Sequence, residues 1–160
     1  MIQAIENDHT ISAEARRRAV LLAARRGNSA HILLLQDAEE TAETPNKSQE
    51  EYAQALRRVA QVTKVAPWRG GHHEVLGLLQ YRCGDYERAL ASEQKAMDIQ
   101  KAQSQDAHAI RAMAYYRLHA MERAQAELAL ARKLAESDPD NPYTTPSLLR
   151  EAESLLSKNR

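Results

Sequence analysis

A repeat limits the folds open to this chain more than any other property. Tyr52-Ala53-Gln54-Ala55 returns as Tyr86-Glu87-Arg88-Ala89 and again as Met121-Glu122-Arg123-Ala124, at spacings of 34 and 35 residues. Val62, Ala96 and Ala131 recur at the same spacings in the second half of each unit. Upstream, Gly77 to Gly84 is matched 35 residues later by Ala112 to His119, and both stretches hold a Tyr-Arg pair. A unit of this length with apolar residues at helical spacing is a helix–turn–helix, and one such unit cannot bury both its faces, so neighbours must stack. The expected fold is all-α: a superhelix of stacked helix hairpins, with small residues where helices approach closely. The register also requires Tyr52 and Tyr86 to lie in equivalent surroundings.

Composition agrees. There are 28 Ala and 18 Leu against only 17 Val, Ile and Thr together, which favours helix over sheet. Lys+Arg and Asp+Glu both number 22, so no excess of positive charge is available to hold nucleic acid or an anionic membrane. One Cys allows no internal disulfide and fits a reducing compartment, so the expected location is cytoplasmic. No apolar run approaches the ~20 residues of a membrane span, and residues 1–10 show no secretory signal. With five Gly there is little material for a phosphate loop. No Gly-x-Ser-x-Gly elbow, His-Glu-x-x-His or paired Cys is present. Catalytic residues, a cofactor and a metal are therefore not expected. The arginines between Arg16 and Arg26 are followed by Glu39, Glu40, Glu43, Glu50 and Glu51, and read as a solvated or paired helix surface.

The periodicity predicts about eight short helices in one domain over 1–160. An N-terminal helix spans 12–26, repeat units occupy 29–67, 70–103 and 105–137, and a capping helix fills 145–158. Ser48 with Glu51 three residues on is a capping box. Pro67 with Gly70-Gly71 is expected to end the helix before it, Gly84 to stop the next, and Asp85 to cap the one that follows. Thr145-Pro146 reads as an N-cap and first helical residue ahead of Leu148, Leu149, Ala152, Leu155 and Leu156. Cys83 reads as a small core residue, and Trp68 as a plug in the joint between units.

Leu76-Gly77, Tyr81, Gly84-Asp85-Tyr86 and Ala89 resemble the tetratricopeptide motif, and the resemblance covers about residues 29–137. The whole run, with Arg16-Arg17-Arg18-Ala19-Val20-Leu21-Leu22-Ala23 at one end and Leu148 to Leu156 at the other, is similar to tetratricopeptide segments at the C-terminal ends of large bacterial proteins. Many of those also carry kinase or β-propeller domains. Departures from the motif are the inserted loop from Glu43 to Ser48, Glu93 in place of a large apolar residue, His73 in place of an aromatic, and His119-Ala120 in place of Gly-Asp.

The resemblance implies a concave groove lined by the first helix of each pair, presenting Glu74, Leu78, Tyr81 and Arg82 from one unit and Ala109, Met113, Tyr116 and Arg117 from the next. Tyr supplies a rigid apolar body with a polar tip and Arg a fork of donors, and both are enriched at binding hot spots. Family members that clamp a C-terminal carboxylate use Lys and Asn where this chain has Glu74, Val75, Leu78, Ala109, Ile110 and Met113, so that ligand is not expected. The function this implies is a non-enzymatic scaffold that takes a protein or peptide segment in the groove. The alternative is a structural or self-association module, possible as a homo-oligomer or as the regulatory tail of a larger bacterial signalling protein. Neither nucleic acid nor membrane is an expected partner.

Overall fold

The computed structural model describes residues 35–141 and 144–157. These residues form seven helices and no strand. Helix α1 is described over 35–43; α2 is Gln49–Val65, α3 Gly70–Arg82, α4 Tyr86–Gln100, α5 Gln105–Arg117, α6 Met121–Ser137 and α7 Pro146–Ser157. The helix expected over 12–26 and the arginine cluster within it lie outside the described residues.

The helices stack as serial hairpins. α3 pairs with α4 and α5 with α6, while α2 packs on α3 and α4 on α5 between hairpins. α3 also touches α5, and α5 touches α7, so these helices form one layer of the stack. The core runs through all of them, from Ala38 and Ala42 in α1 through Leu79, Ile110 and Met113 to Leu148 and Leu156 in α7. Ala89, Ala96, Ala124 and Ala131 are all fully buried, which is how the high alanine content becomes close helix packing.

Local chemistry sets the helix ends. Ser48 Oγ accepts from Glu51 N–H (3.2 Å) and Glu51 Oε2 accepts from Ser48 N–H (2.9 Å), closing the expected capping box at the start of α2. The turns after α3 and α5 are copies of each other. Gly84 N–H donates to Tyr81 O (3.0 Å) and Asp85 N–H to Gln80 O (2.9 Å); His119 N–H donates to Tyr116 O (3.0 Å) and Ala120 N–H to Tyr115 O (2.9 Å). This is the Schellman pairing, which needs one left-handed residue: Gly84 has φ 85° and His119 has φ 59°. His119 thus takes a glycine's conformation in the later turn.

Four local expectations are corrected. Gly70 and Gly71 open α3 rather than ending α2. At Gly70 a Cβ would lie 2.9 Å from Gln100 Cδ and 3.0 Å from Ala96 O, so the reason for glycine is the close approach of α4. Asp85 precedes α4 but makes no side-chain cap; its carboxylate pairs with Arg88 at 3.2 Å. Trp68 does not plug the joint, being 67% exposed, whereas the nearby Ala66 and His73 are buried and His73 Nε2 bonds Pro67 O at 3.0 Å. Tyr52 and Tyr86 are not equivalent. Tyr52 is buried within α2, where its hydroxyl donates to Thr44 O (2.8 Å) and accepts from Lys47 N–H (3.2 Å). Tyr86 opens α4 and is partly buried, its ring 5.7 Å from that of Tyr81. The inserted loop before α2 gives Tyr52 a carbonyl that the tight turn before Tyr86 does not offer.

Candidate functional site

The face expected to be a groove is occupied by the chain's own helices. Leu78 and Tyr81 are almost fully buried and Met113 is wholly buried, so they belong to the core. Arg82, with 7% of its side chain exposed, forms a two-pronged pair with Glu151 of α7, including Nη2–H donating to Oε2 at 2.7 Å. Its Nε–H donates to Ala42 O of α1 at 3.0 Å. Tyr81 and Arg117 meet, the guanidinium donating to the phenol oxygen. Burial pushes the Tyr81 hydroxyl up against the opposing effect of that bond. Tyr116 is partly buried against the core, and Arg117 is exposed beside it. Glu74 is partly buried beside Asp106 and Thr145 in a cavity of about 140 Å³ that also takes in Glu39, Glu43 and Leu148. Thr145 spans it, its hydroxyl donating to Glu43 Oε1 (3.0 Å) and its N–H to Asp106 Oδ2 (2.8 Å). Burial, opposed by the bonds from Thr145 and reinforced by Glu74 and Glu43, raises Asp106 to about 6. Burial, with Glu43 and Glu74 beside it, also raises Glu39. Of the seven expected groove residues, the structure brings Tyr81, Arg82 and Arg117 together, the Arg82 guanidinium carbon lying 5.7 Å from the centre of the Tyr81 ring while Glu151 of α7 takes its charge.

Leu76 and Leu78 are two positions apart, about 200° round the helix, so Leu76 faces another way. There, between α2 and α4, lies a cleft of about 400 Å³ floored by Leu56, Ala60, Pro67 and Leu76 and flanked by Lys64 and Lys95. The corresponding place one hairpin later is filled. Arg111 Nε–H and Nη2–H donate to Glu127 Oε1 (2.9 and 2.7 Å), and Arg111 Nη1–H donates to Gln94 Oε1 (2.7 Å). His108 Nδ1–H donates to Glu127 Oε2 at 2.6 Å. Burial works against the charge on Glu127, but the bonds from His108 and Arg111 prevail and hold its carboxyl below the ordinary range.

The repeat spacing relates the two places residue by residue. Ala60 precedes Gln94 by 34 positions, and Leu76 and Ser92 precede Arg111 and Glu127 by 35. One set is small or apolar and the other is long and polar. That contrast is present in the sequence, and carrying the repeat alignment through every position, rather than only the small ones, reveals it.

Glu93, the acid standing where the motif has a large apolar residue, is the other group of note. It is fully buried in α4 against Gly77, and neither carboxyl oxygen has a hydrogen-bond partner. Burial drives its pKa well up, with Glu74 and Asp106 adding to the effect and Arg111 opposing it, so the site favours the neutral acid over the anion. A Cβ on residue 77 would lie 2.8 Å from Glu93 Cδ, which explains the glycine there. Among the described residues, no three His, Cys, Asp or Glu side chains are grouped to hold a metal ion, and no helix is long and apolar enough to cross a membrane.

No protein-family model matches the chain, and a search of curated proteins finds no relative.

Proposed function

We propose that the chain is a non-enzymatic protein-interaction scaffold, built from tetratricopeptide-like hairpins and working in a reducing, cytoplasmic setting. The observation that carries this reading is exposed apolar surface at one junction, where two of the three exposed large apolar side chains among the described residues fall, the third being Leu130 in α6. Trp68 is 67% exposed and Val65 52%, and both sit at the α2–α3 junction. Two large apolar side chains exposed three residues apart at one helix junction offer a contact surface for a partner. A photo-crosslinker at position 68 is expected to capture a discrete partner that the same group at exposed position 122 does not. Identical products at the two positions would overturn the reading.

The concave face favours the second reading, a structural module or regulatory tail with no separate ligand there. The Arg82–Glu151 pair and the Thr145–Glu43 bond occupy that face from within the chain. If the face is a seal, peptides aimed at Tyr81, Tyr116 and Arg117 bind no more tightly than to a control lacking residues 145–160. Self-association is read by sizing the chain across a hundred-fold range of concentration, about two decades being enough to reveal a weak dimer.

A further inference from the structure

We propose that the cleft between α2 and α4 is the docking site for an amphipathic helix of a partner protein that carries acidic residues beside its apolar stripe. The proposal rests on the scaffold reading and supplies its surface and ligand chemistry.

The cleft asks for apolar matter at its centre. Leu56, Ala60, Pro67 and Leu76 line it, and the polar groups among them are already engaged. Thr63 Oγ–H donates to Val59 O (2.8 Å), His73 Nε2 bonds Pro67 O (3.0 Å), and Ser92 Oγ–H donates to Gln80 Oε1 (2.7 Å). A ligand entering here breaks no bond and needs none from the floor. At the edges the demand is for negative charge. Lys64 and Lys95 flank the cleft, both exposed, and neither has an ion-pair partner among the described residues. Arg88 is shared with Asp85.

Shape selects a helix. Leu56, Ala60, Thr63 and Lys64 follow one another along a single side of α2, a row about 12 Å long at 1.5 Å per residue. Side chains at i, i+4 and i+7 of a short partner helix fit such a row as a ridge fits a groove. A flat bilayer surface does not enter a concave slot of this kind. The later hairpin shows that the fold has its own way of closing this place, with Gln94, Arg111 and Glu127 bonded across it. The earlier hairpin holds Ala60, Leu76 and Ser92 at the matching positions and leaves the place open.

The test selects peptides on the full chain from a helix-biased display library and measures the selected peptides by fluorescence anisotropy. Expected are peptides with large apolar residues at i, i+4 and i+7 flanked by Glu or Asp. Their affinity is expected to fall about ten-fold or more in the K64E/K95E variant and to weaken with salt. The triple variant A60Q/L76R/S92E, which transplants the later hairpin's network, is expected to abolish binding while retaining a cooperative helical melt. If the triple variant does not fold, the surface variant K64E/K95E decides alone. Selection of no acidic consensus, unchanged binding in K64E/K95E, or a folded triple variant that still binds each overturns the proposal. So does displacement of the peptide by phosphatidylserine vesicles or by RNA, or its exclusion by a second copy of the chain. Should the library yield nothing while the crosslinker at position 68 still captures a discrete protein, the cleft assignment falls and the scaffold reading stands. Should both fail, both fall.

Discussion

Glu93 in α4 and Glu127 in α6 are buried carboxyl groups one position out of step in successive hairpins, and the chain treats them in opposite ways. Glu127 is surrounded by donors: His108 takes one oxygen and Arg111 the other. Glu93 packs against Gly77, and neither of its oxygens has a hydrogen-bond donor. The same functional group is pushed toward the paired anion in one hairpin and toward the neutral acid in the other. Burial alone therefore does not fix the state of a carboxyl; the residues one helix away do.

The largest expected effect breaks the paired member. Glu127→Met removes the partner of two cationic or donor side chains that are themselves only 5% and 14% exposed, and leaves His108 Nδ1 and Arg111 Nε and Nη2 without an acceptor. A loss of about 3 kcal/mol is expected in urea unfolding. The identical change in the other hairpin, Glu93→Met, replaces an unpartnered acid by an apolar chain of similar shape and is expected to gain about 1–2 kcal/mol. Equal signs for the two substitutions would destroy the contrast.

The two groups also oppose each other in pH dependence. The folded pKa of Glu93 lies well above its unfolded value near 4.5, so its contribution is full below that value and is lost as pH rises through the folded pKa. Asp106 adds to the same trend, its contribution being full below 3.8 and lost as pH rises through about 6. Glu127, with a lowered pKa, contributes above 4.5 and loses its contribution as pH falls through its folded value. Melting temperature is thus expected to decline from pH 5 to pH 8, with a shallower decline in Glu93→Met and, below about pH 6, in Asp106→Asn. A decline of unchanged steepness in Glu93→Met removes that residue from the account.

The smallest expected effect compares the two matching turns. Gly84→Ala forces a side chain into φ 85° and is expected to cost about 1 kcal/mol, while His119→Gly relieves φ 59° and gains somewhat less than about 1 kcal/mol. Thermal melts of the two single variants check both directions.

How far the sequence is legible differs between regions for physical reasons. The helices and their stacking are readable because they rest on local signals: the Ser48–Glu51 box, the Gly84 stop, and alanines at a fixed spacing. The fate of the inner face is not readable in that way. Arg82 finds Glu151 at a sequence separation of 69, and Thr145 finds Glu43 at a separation of 102, so no window of neighbouring residues contains either pair. Motif positions put Leu78, Tyr81 and Met113 on that face, and the structure buries all three, because whether a face is open depends on what folds over it. Trp68 misleads for a related reason: a lone aromatic in a Pro/Gly link looks like a plug, and its exposure is set by how the link runs between the two helices.

The bond from Thr145 to Glu43 and the double grip of Arg82 on Ala42 and Glu151 tie the first described helix to the last. Most ladders of this kind melt inward from a loose rung and grow by adding rungs. With its described end helices tied together, this ladder is expected to lose both ends in one concerted step, as coincident melts followed at α1 and α7 would check.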